Sequence, residues 1–310
     1  YELEKKRIFY RSWICVGHVC MAKATGDYFV ASVAGQEVLV IRDDKRRLNA
    51  FFNACQHRGH RLASGAGHCD RFACPYHAWS YGLDGRLLHA PHSDRVPGFD
   101  SGNISLVRVQ LDTLAGAIFV NLDRDAPSLH SIFPGVEDEI LAQKPDVADQ
   151  ELVYEHPMPH HCNWKASVEN FSECYHCPGV HPEWCETQPR MKRGGFIPFL
   201  PAEYESHKYP GGSELAEGYK TLTWTGQTNR PPLKDLDDIE RKIICGHVIW
   251  PNLLLSHHPD YVHSQVVMPT GPTSTHMIYE WFFDIETMAM PDFDPSDTVE
   301  MWDLVNQQDF

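Results

Sequence analysis

The run Cys55-Gln56-His57-Arg58-Gly59-His60-Arg61-Leu62, followed by Cys74-Pro75-Tyr76-His77-Ala78-Trp79, decides how the first part of the chain is read. Each segment offers one thiol and one imidazole, so two short loops supply four metal ligands, joined by a stretch containing Gly59, Gly65 and Gly67. Two thiolates on one iron and two neutral imidazoles on the other suit a [2Fe-2S] cluster of raised potential. Cys55 and Cys74 would bind one iron, His57 and His77 the other. A structural zinc site of two Cys and two His is chemically adequate as well. Such a site usually pairs Cys with Cys and His with His, whereas each loop here supplies one of each, so the spacing favours the cluster. Cys69 has no matching role and reads as a buried or half-buried thiol; His60, His68, His89 and His92 read as loop histidines.

The rest of the composition fits a folded protein of ordinary size. With 310 residues, 42% hydrophobic and 11% aromatic, the chain has room for two domains. Lys+Arg 27 against Asp+Glu 42 leaves a net charge of −15, which repels a phosphate backbone and argues against a nucleic acid partner. No stretch approaches the roughly 20 apolar residues of a membrane span, and the expectation is a cytoplasmic chain with no membrane attachment. Ten cysteines in this length, without an export signal, read as metal ligands or free thiols rather than a disulfide framework.

Turn signals and apolar runs give an α+β chain in two parts. Tyr1 to Ser12 suits a short amphipathic helix, and strands are expected at Phe29 to Ala31, Glu37 to Ile41, Leu48 to Phe52 and Gly116 to Leu122. Asp43-Asp44 falls in a hairpin loop and Asp84-Gly85 marks a tight turn. Composition shifts at the polar stretch Asp123 to Ser128, which places a soft boundary near residue 125 and domains at 1–125 and 126–310. Helices are expected from Val136 to Lys144 and Lys165 to Cys177, and from Pro295 or Ser296 to the end. Strands of one antiparallel sheet are expected at Glu151 to Pro157, Tyr219 to Thr225, Ile243 to Trp250, Asn252 to His257, Tyr261 to Met268 and His276 to Ile285. Gly194-Gly195 and Gly211-Gly212 lack the strand-to-helix setting of a dinucleotide fingerprint, so a nicotinamide or flavin would be held elsewhere.

A second metal centre is suggested by Asn163-Trp164-Lys165-Ala166-Ser167-Val168-Glu169-Asn170-Phe171-Ser172-Glu173-Cys174-Tyr175-His176-Cys177-Pro178-Gly179-Val180-His181-Pro182. Pro178 and Gly179 let the chain bend so that His181 returns beside His176. Two histidines need one carboxylate to form the facial triad that leaves positions open on Fe(II). Glu173, three residues before His176, shares a helix face with it in this reading and can orient the imidazole; Asn170 lies on the same face. For the carboxylate, Asp292, Asp294, Asp297, Asp303 and Asp309 all lie in the tail, and spacing does not choose among them. Cys174 and Cys177 also form a Cys-x-x-Cys pair, a spacing found in zinc sites and in thiol redox chemistry, but no second pair follows and neither is the expectation here. Cys15, Cys20, Cys162, Cys185 and Cys245 read as small buried hydrophobes.

Both motifs, in this order, resemble the Rieske non-heme iron oxygenase alpha subunits. The resemblance implies an N-terminal all-β Rieske [2Fe-2S] domain and a C-terminal helix-grip (START-like) catalytic domain, an antiparallel sheet curled around a long helix. By that resemblance His176 and His181 are iron ligands. The run Val305-Asn306-Gln307-Gln308-Asp309 resembles the ligand-bearing helix, making Asp309 the third, and Glu173 bridges His176 to His77 of a neighbouring subunit in a head-to-tail homotrimer. Glu173 in the setting Glu-Cys-Tyr-His-Cys resembles the quaternary-ammonium branch, with proline betaine (stachydrine) and then glycine betaine demethylases as the expected activity, and carnitine or choline oxidation as alternatives. Electrons would come from NAD(P)H through a separate flavin/iron-sulfur reductase. Cation-π contacts would hold the substrate; the sheet aromatics Trp224, Trp250, Tyr279, Trp281, Phe282 and Phe283 read first as core, since alternate strand residues face the interior, and one or two of them facing the iron would suffice. The family pattern continues past Phe310, so a further C-terminal segment is expected. An electron-transfer protein would need only the first part of the chain.

Overall fold

Val38, Leu39, Val40 and Ile41 are all fully buried, an unbroken apolar run rather than an alternating one, as expected of a strand covered on both faces. In the computed structural model, which describes residues 1–193, 212–234 and 236–309, they form β3 (Gln36–Arg42) at the heart of a seven-stranded antiparallel sheet. Its other strands are β1 (Ile14–His18), β2 (Asp27–Val33), β4 (Leu48–Phe52), β5 (Ala66–His68), β9 (Arg108–Leu114) and β10 (Ala117–Asn121), in the order β1-β10-β9-β4-β3-β2-β5. A three-stranded sheet, β6 (Phe72–Ala73), β7 (Ser80–Tyr81) and β8 (Leu87–His89), completes this unit, Tyr1–Ile132.

Turn chemistry sets the registers. Asp43, 3% exposed, closes the β3–β4 hairpin by accepting the backbone N–H of Lys45 and Arg47, the Arg47 guanidinium and the Asn49 amide. These bonds outweigh the cost of burial and hold its pKa at about 2. Gly85 turns the chain at φ +85°, where a Cβ would stand 2.5 Å from the Phe51 ring. One core cluster joins Leu39, Ile41 and Phe51 to Cys55, Leu62, Phe72, Cys74 and Tyr81, so both cysteines of the ligand loops are anchored in the packed interior.

The second unit, Phe133–Phe310, is built on an antiparallel sheet ordered β11-β16-β15-β14-β13-β12. The strands are β11 (Glu151–His160), β12 (Ser213–Glu214), β13 (Ile243–Ile249), β14 (Leu253–His257), β15 (Val262–Gly271) and β16 (Ser274–Phe283). The helix Trp164–Ser172 is capped by Asn163, whose Oδ1 accepts the Lys165 N–H at 3.1 Å. The long helix Ser296–Asp309 lies on the sheet: Trp302 Nε1–H donates to Tyr261 Oη at 3.1 Å, and Asp303 accepts from His156 Nδ1 at 2.9 Å. The mixed α+β class is as the sequence indicates. No helix among the described residues is long and apolar enough to cross a membrane.

Several local readings need correction. The N-terminal helix is a single α-turn, Glu2–Glu4, running into π-type turns over Lys5–Phe9, and Leu3 stays exposed. Tyr219 to Thr225 is a closed loop and not a strand: Gly218 and Gly226 take positive φ, and Lys220 N–H bonds back to the Gly226 carbonyl. His68 and His89 stand on β5 and β8 rather than in loops. Cys15, Cys185 and Cys245 are buried, whereas Cys20 and Cys162 are half-buried. Gly194, Gly195 and Gly211 lie outside the described residues.

Glu280 carries a pH dependence. It is buried on β16 opposite Ser264, which donates to it, and opposite Glu155 on the other side. Burial, with the like charge of Glu155, raises its pKa from 4.5 to about 7. A folded-state pKa above the unfolded one means the folded chain keeps its proton while the unfolded chain loses it, so stability falls as pH rises from about 4.5 to 7, by on the order of 3 kcal/mol. Glu280→Gln is expected to raise Tm at pH 8 and to leave it unchanged or lower at pH 5; thermal unfolding at the two pH values checks this.

Candidate metal centres

The two N-terminal ligand loops share one backbone bracket. Cys55 N–H donates to His60 O and Gly59 N–H to Cys55 O; likewise Cys74 N–H donates to Trp79 O and Ala78 N–H to Cys74 O, all at 2.8–2.9 Å. The fourth residue after each cysteine takes positive φ, +71° at Gly59 and +58° at Ala78. Ala78 does so without glycine's freedom, at a cost of roughly 1 kcal/mol. The thiols of Cys55 and Cys74 are buried, 2% and 3% exposed, while His57 and His77 stand at the surface with ring centroids 4.7 Å apart. Trp79 stacks on His57 at 4.9 Å. Two inner sulfurs and two outer imidazoles are the donor set of a [2Fe-2S] cluster with mixed ligation, and the residues fit that group. Tyr81 was not singled out in the sequence. Its Oη accepts the Gln56 N–H at 3.0 Å and lies 3.2 Å from Cys55 Sγ, so its own hydrogen is left for the sulfur.

In the second unit the helix Trp164–Ser172 stops earlier than its pattern suggests. Ser172 Oγ bonds back to Val168 O, Glu173 is extended at φ −128°, and a new turn starts at Cys177. Glu173, His176 and Asn170 therefore do not share one helix face, and the contacts arise from the bend instead. His176 Nδ1–H donates to Glu173 Oε2 at 3.1 Å, and Asn170 Nδ2 donates to Asp309 Oδ1 at 3.1 Å and stands 3.4 Å from His176 Nε2. His181, fully buried at the start of the helix Pro182–Thr187, donates Nδ1–H to Gln308 Oε1 at 2.9 Å; Gln308 in turn donates to Glu183 Oε2.

Those bonds fix the tautomers, leaving both Nε2 atoms as acceptors, that of His176 facing the Asn170 amide. Nε2 of His181 lies 3.0 Å, and Nε2 of His176 3.5 Å, from Asp309 Oδ1. His181 Nε2 is buried and has no hydrogen-bond partner despite that proximity, which is how ligands aimed at a common point, rather than at each other, are arranged. Against the cost of burial, Asp309 and Gln308 raise the proton affinity of His181, and the same field attracts a metal cation. The ligand atoms of His176, His181 and Asp309 lie within 4.8 Å of one another, the one such group among the described residues. A two-histidine, one-carboxylate set fits Fe(II) with open positions. The other tail aspartates are engaged elsewhere: Asp292 with Asn229, Asp294 capping Ser296, Asp297 with Arg230 and Asp303 with His156.

Beside the triad is a cavity of about 30 Å³, room for one or two waters. Phe171, Trp184, Tyr279 and Trp302 supply its aromatic walls and Asn306 a polar one. Of the sheet aromatics considered from sequence, Tyr279 lines it; Trp281, Phe282 and Phe283 are core, and Trp224 and Trp250 are half exposed away from it. Tyr279 Oη lies 3.1 Å from Nε2 of His160, whose pKa burial lowers to about 4 against the field of Asp309, so the ring is neutral at pH 7. Gln308, Trp184, Trp302 and Asn306 were missed in the sequence. Gln308 and Asn306 stand in the run that carries Asp309, but nothing in that run says which side chains face inward.

Residues 147–310 match the model of the ring hydroxylating alpha subunit (catalytic domain), and residues 12–100 match the Rieske [2Fe-2S] domain. The carnitine monooxygenase oxygenase subunit of Escherichia coli (strain K12) is 39% identical over 188 residues, 60% of this chain and 50% of that protein. This chain thus spans about half the length of the carnitine monooxygenase subunits it matches. The glycine betaine monooxygenase oxygenase subunit of Chromohalobacter salexigens is 28% identical across 100% of the chain and 74% of its own length. A solved quaternary ammonium Rieske monooxygenase, whose structure bears on carnitine oxidation by gut microbiota and inter-subunit electron transfer, superposes with a TM-score of 0.77 at 27% identity, covering 100% of this chain and 79% of that one.

Tyr81→Phe removes the hydrogen bond to Cys55 Sγ, worth about 1 to 1.5 kcal/mol. The reduction potential of the loaded cluster is expected to fall by roughly 45–60 mV, read by redox titration; an unchanged potential would show that Tyr81 does not bond the sulfur. From two ligand loops, a metal triad and matches that run the length of the chain, the protein belongs to the ring hydroxylating alpha subunit family, as a Rieske oxygenase alpha subunit that resembles the quaternary ammonium monooxygenases.

Proposed function

We propose that this chain is the oxygenase component of a Rieske non-heme iron monooxygenase that hydroxylates an N-methyl carbon of a quaternary ammonium compound. The observation that carries this reading is the triad, in which His176, His181 and Asp309 bring their ligand atoms within 4.8 Å of one another. A pure electron carrier would have no use for it. When bound, the ferrous ion supplies dioxygen activation and C–H hydroxylation, and the cluster of Cys55, His57, Cys74 and His77 supplies electrons singly. The carbinolamine made from an N-methyl group collapses to formaldehyde and the demethylated amine.

The chain's own residues position each participant. Gln308 holds the His181 ring and Asn170 holds Asp309. Glu173 holds the Nδ1 proton of His176 through Oε2, and its Oε1, which has no hydrogen-bond partner, is assigned to His77 of the partner subunit in a head-to-tail homotrimer. A permanent cation cannot be bound by proton transfer, and Phe171, Trp184, Tyr279 and Trp302, which wall the cavity beside the triad, offer it cation-π contact once that cavity, wide enough here for only one or two waters, opens to admit it.

Asn306 Nδ2, buried and without a partner at the cavity wall, can donate to a substrate carboxylate, which supports a betaine over choline. Within the betaines the reading is proline betaine (stachydrine), on the chain's resemblance to betaine demethylases, with glycine betaine and carnitine as alternatives. Electrons come from NAD(P)H through a separate flavin/iron-sulfur reductase. The ten free cysteines suit a reducing compartment, the cytoplasm.

The test is oxygen uptake and formaldehyde release by the protein loaded with iron and sulfide, with a reductase, against stachydrine, glycine betaine, carnitine and choline. Formaldehyde matching oxygen consumed, greatest with stachydrine, is the expected result. Equal oxygen uptake with and without all four overturns the reading. Glu173→Ala is expected to keep both metals by iron and sulfide analysis while turnover falls by roughly 100-fold; retained turnover removes Glu173 from the electron path. Asn306→Leu is expected to raise Kd for the betaines about 10- to 100-fold with choline unchanged, read by calorimetric titration.

A further inference from the structure

Cys174 and Cys177 are not used by the metal centres or by the proposed reaction. The backbone folds the pair into a turn, with Cys177 N–H donating to Cys174 O at 3.2 Å, which brings the two Cα atoms within about 7 Å, inside or close to the span a disulfide bridges. Both residues line the cavity beside the triad, Cys174 half-buried and Cys177 fully buried. The segment between them holds Tyr175 and His176, and Cys177 Sγ stands 3.9 Å from His176 Nε2.

We propose that Cys174 and Cys177 form a peroxide-modifiable dithiol that closes to an intramolecular disulfide around His176. The oxidant class is hydrogen peroxide, small enough for the cavity. In the first step Cys174, the more accessible thiol, takes one peroxide oxygen as the O–O bond breaks: R–SH and H2O2 give R–SOH and H2O. In the second, Cys177 attacks that sulfur, the S–O bond breaks and a second water leaves. Two thiols are oxidised by two electrons in all, and one peroxide is reduced to two waters. Exposure assigns the order: both thiols line the cavity, but Cys174 is half-buried whereas Cys177 is fully buried. This inference stands apart from the choice of substrate and does not need the chain to be an oxygenase.

The experiment treats the purified full chain, as isolated and after metal removal, with a few equivalents of hydrogen peroxide, then alkylates remaining thiols and maps them by mass. The expected product is a peptide spanning residues 166–190 carrying a Cys174–Cys177 link and an alkylated Cys185, reverting fully on reduction with dithiothreitol. Cys177→Ser should leave Cys174 as a sulfenic acid trapped by dimedone, and Cys174→Ser should leave Cys177 unmodified. The wild-type map suffices should either variant fail to fold. Both cysteines recovered as alkylated thiols while others oxidise, or a link from either to Cys162 or Cys185 instead, overturns the proposal.

Discussion

Asp309 meets the two histidines because the helix Ser296–Asp309 is pinned along its length to the sheet. Trp302 stacks on His263 at 4.1 Å and donates to Tyr261, and Asp303 ties to His156 on β11. At the start of the helix, Arg230 joins Asp297 to the buried Asp260, at 2.7 and 2.8 Å. Removing either carboxylate would leave a buried guanidinium with less compensation, which is far costlier than losing a surface pair. The helix is thus held by contacts that have no part in chemistry, and they decide whether Asp309 and Gln308 arrive together. A shift of one helical residue, about 1.5 Å along the axis, would separate carboxylate from imidazoles.

Legibility of the chain followed distance along it. The cluster loops could be read because each ligand pair and its turn are local, and the hairpin at Asp43 and the Asp84-Gly85 turn are local too. His176 and His181 were legible for the same reason. Glu173 does reach the His176 ring, but not by the expected route: the helix ends at Ser172, and the bend, not a shared face, brings the carboxylate to it. Asp309 could not be chosen by spacing, because five aspartates share the tail and their separation came only from tertiary partners for the other four. Trp184, Trp302 and Asn306 meet across segments far apart in sequence, where periodicity carries no information. Tyr219 to Thr225 has strand-like residues, and two glycines at positive φ override them.

The 19 histidines also have a packing explanation. His257, His258 and His263 are fully buried on and around β14 and β15, with neither ring nitrogen of any of them hydrogen-bonded. Burial keeps them neutral, His263 down to about 3. They behave as flat aromatic plates, His258 on Tyr261 at 4.1 Å and His263 on Trp302. Each leaves polar nitrogen unsatisfied in the interior, a real cost, and His263 offsets part of it by packing the helix that bears Asp309.

The twin brackets around Cys55 and Cys74 have a bearing on biogenesis. Each socket is closed by its own main chain, and the residues that pack it, Tyr81 and the core from Leu39 to Leu106, all belong to the first unit. The triad waits for the last residues of the helix Ser296–Asp309. A nascent chain can therefore shape the loops of Cys55 and Cys74 before the residues that complete the group of His176, His181 and Asp309 have been made.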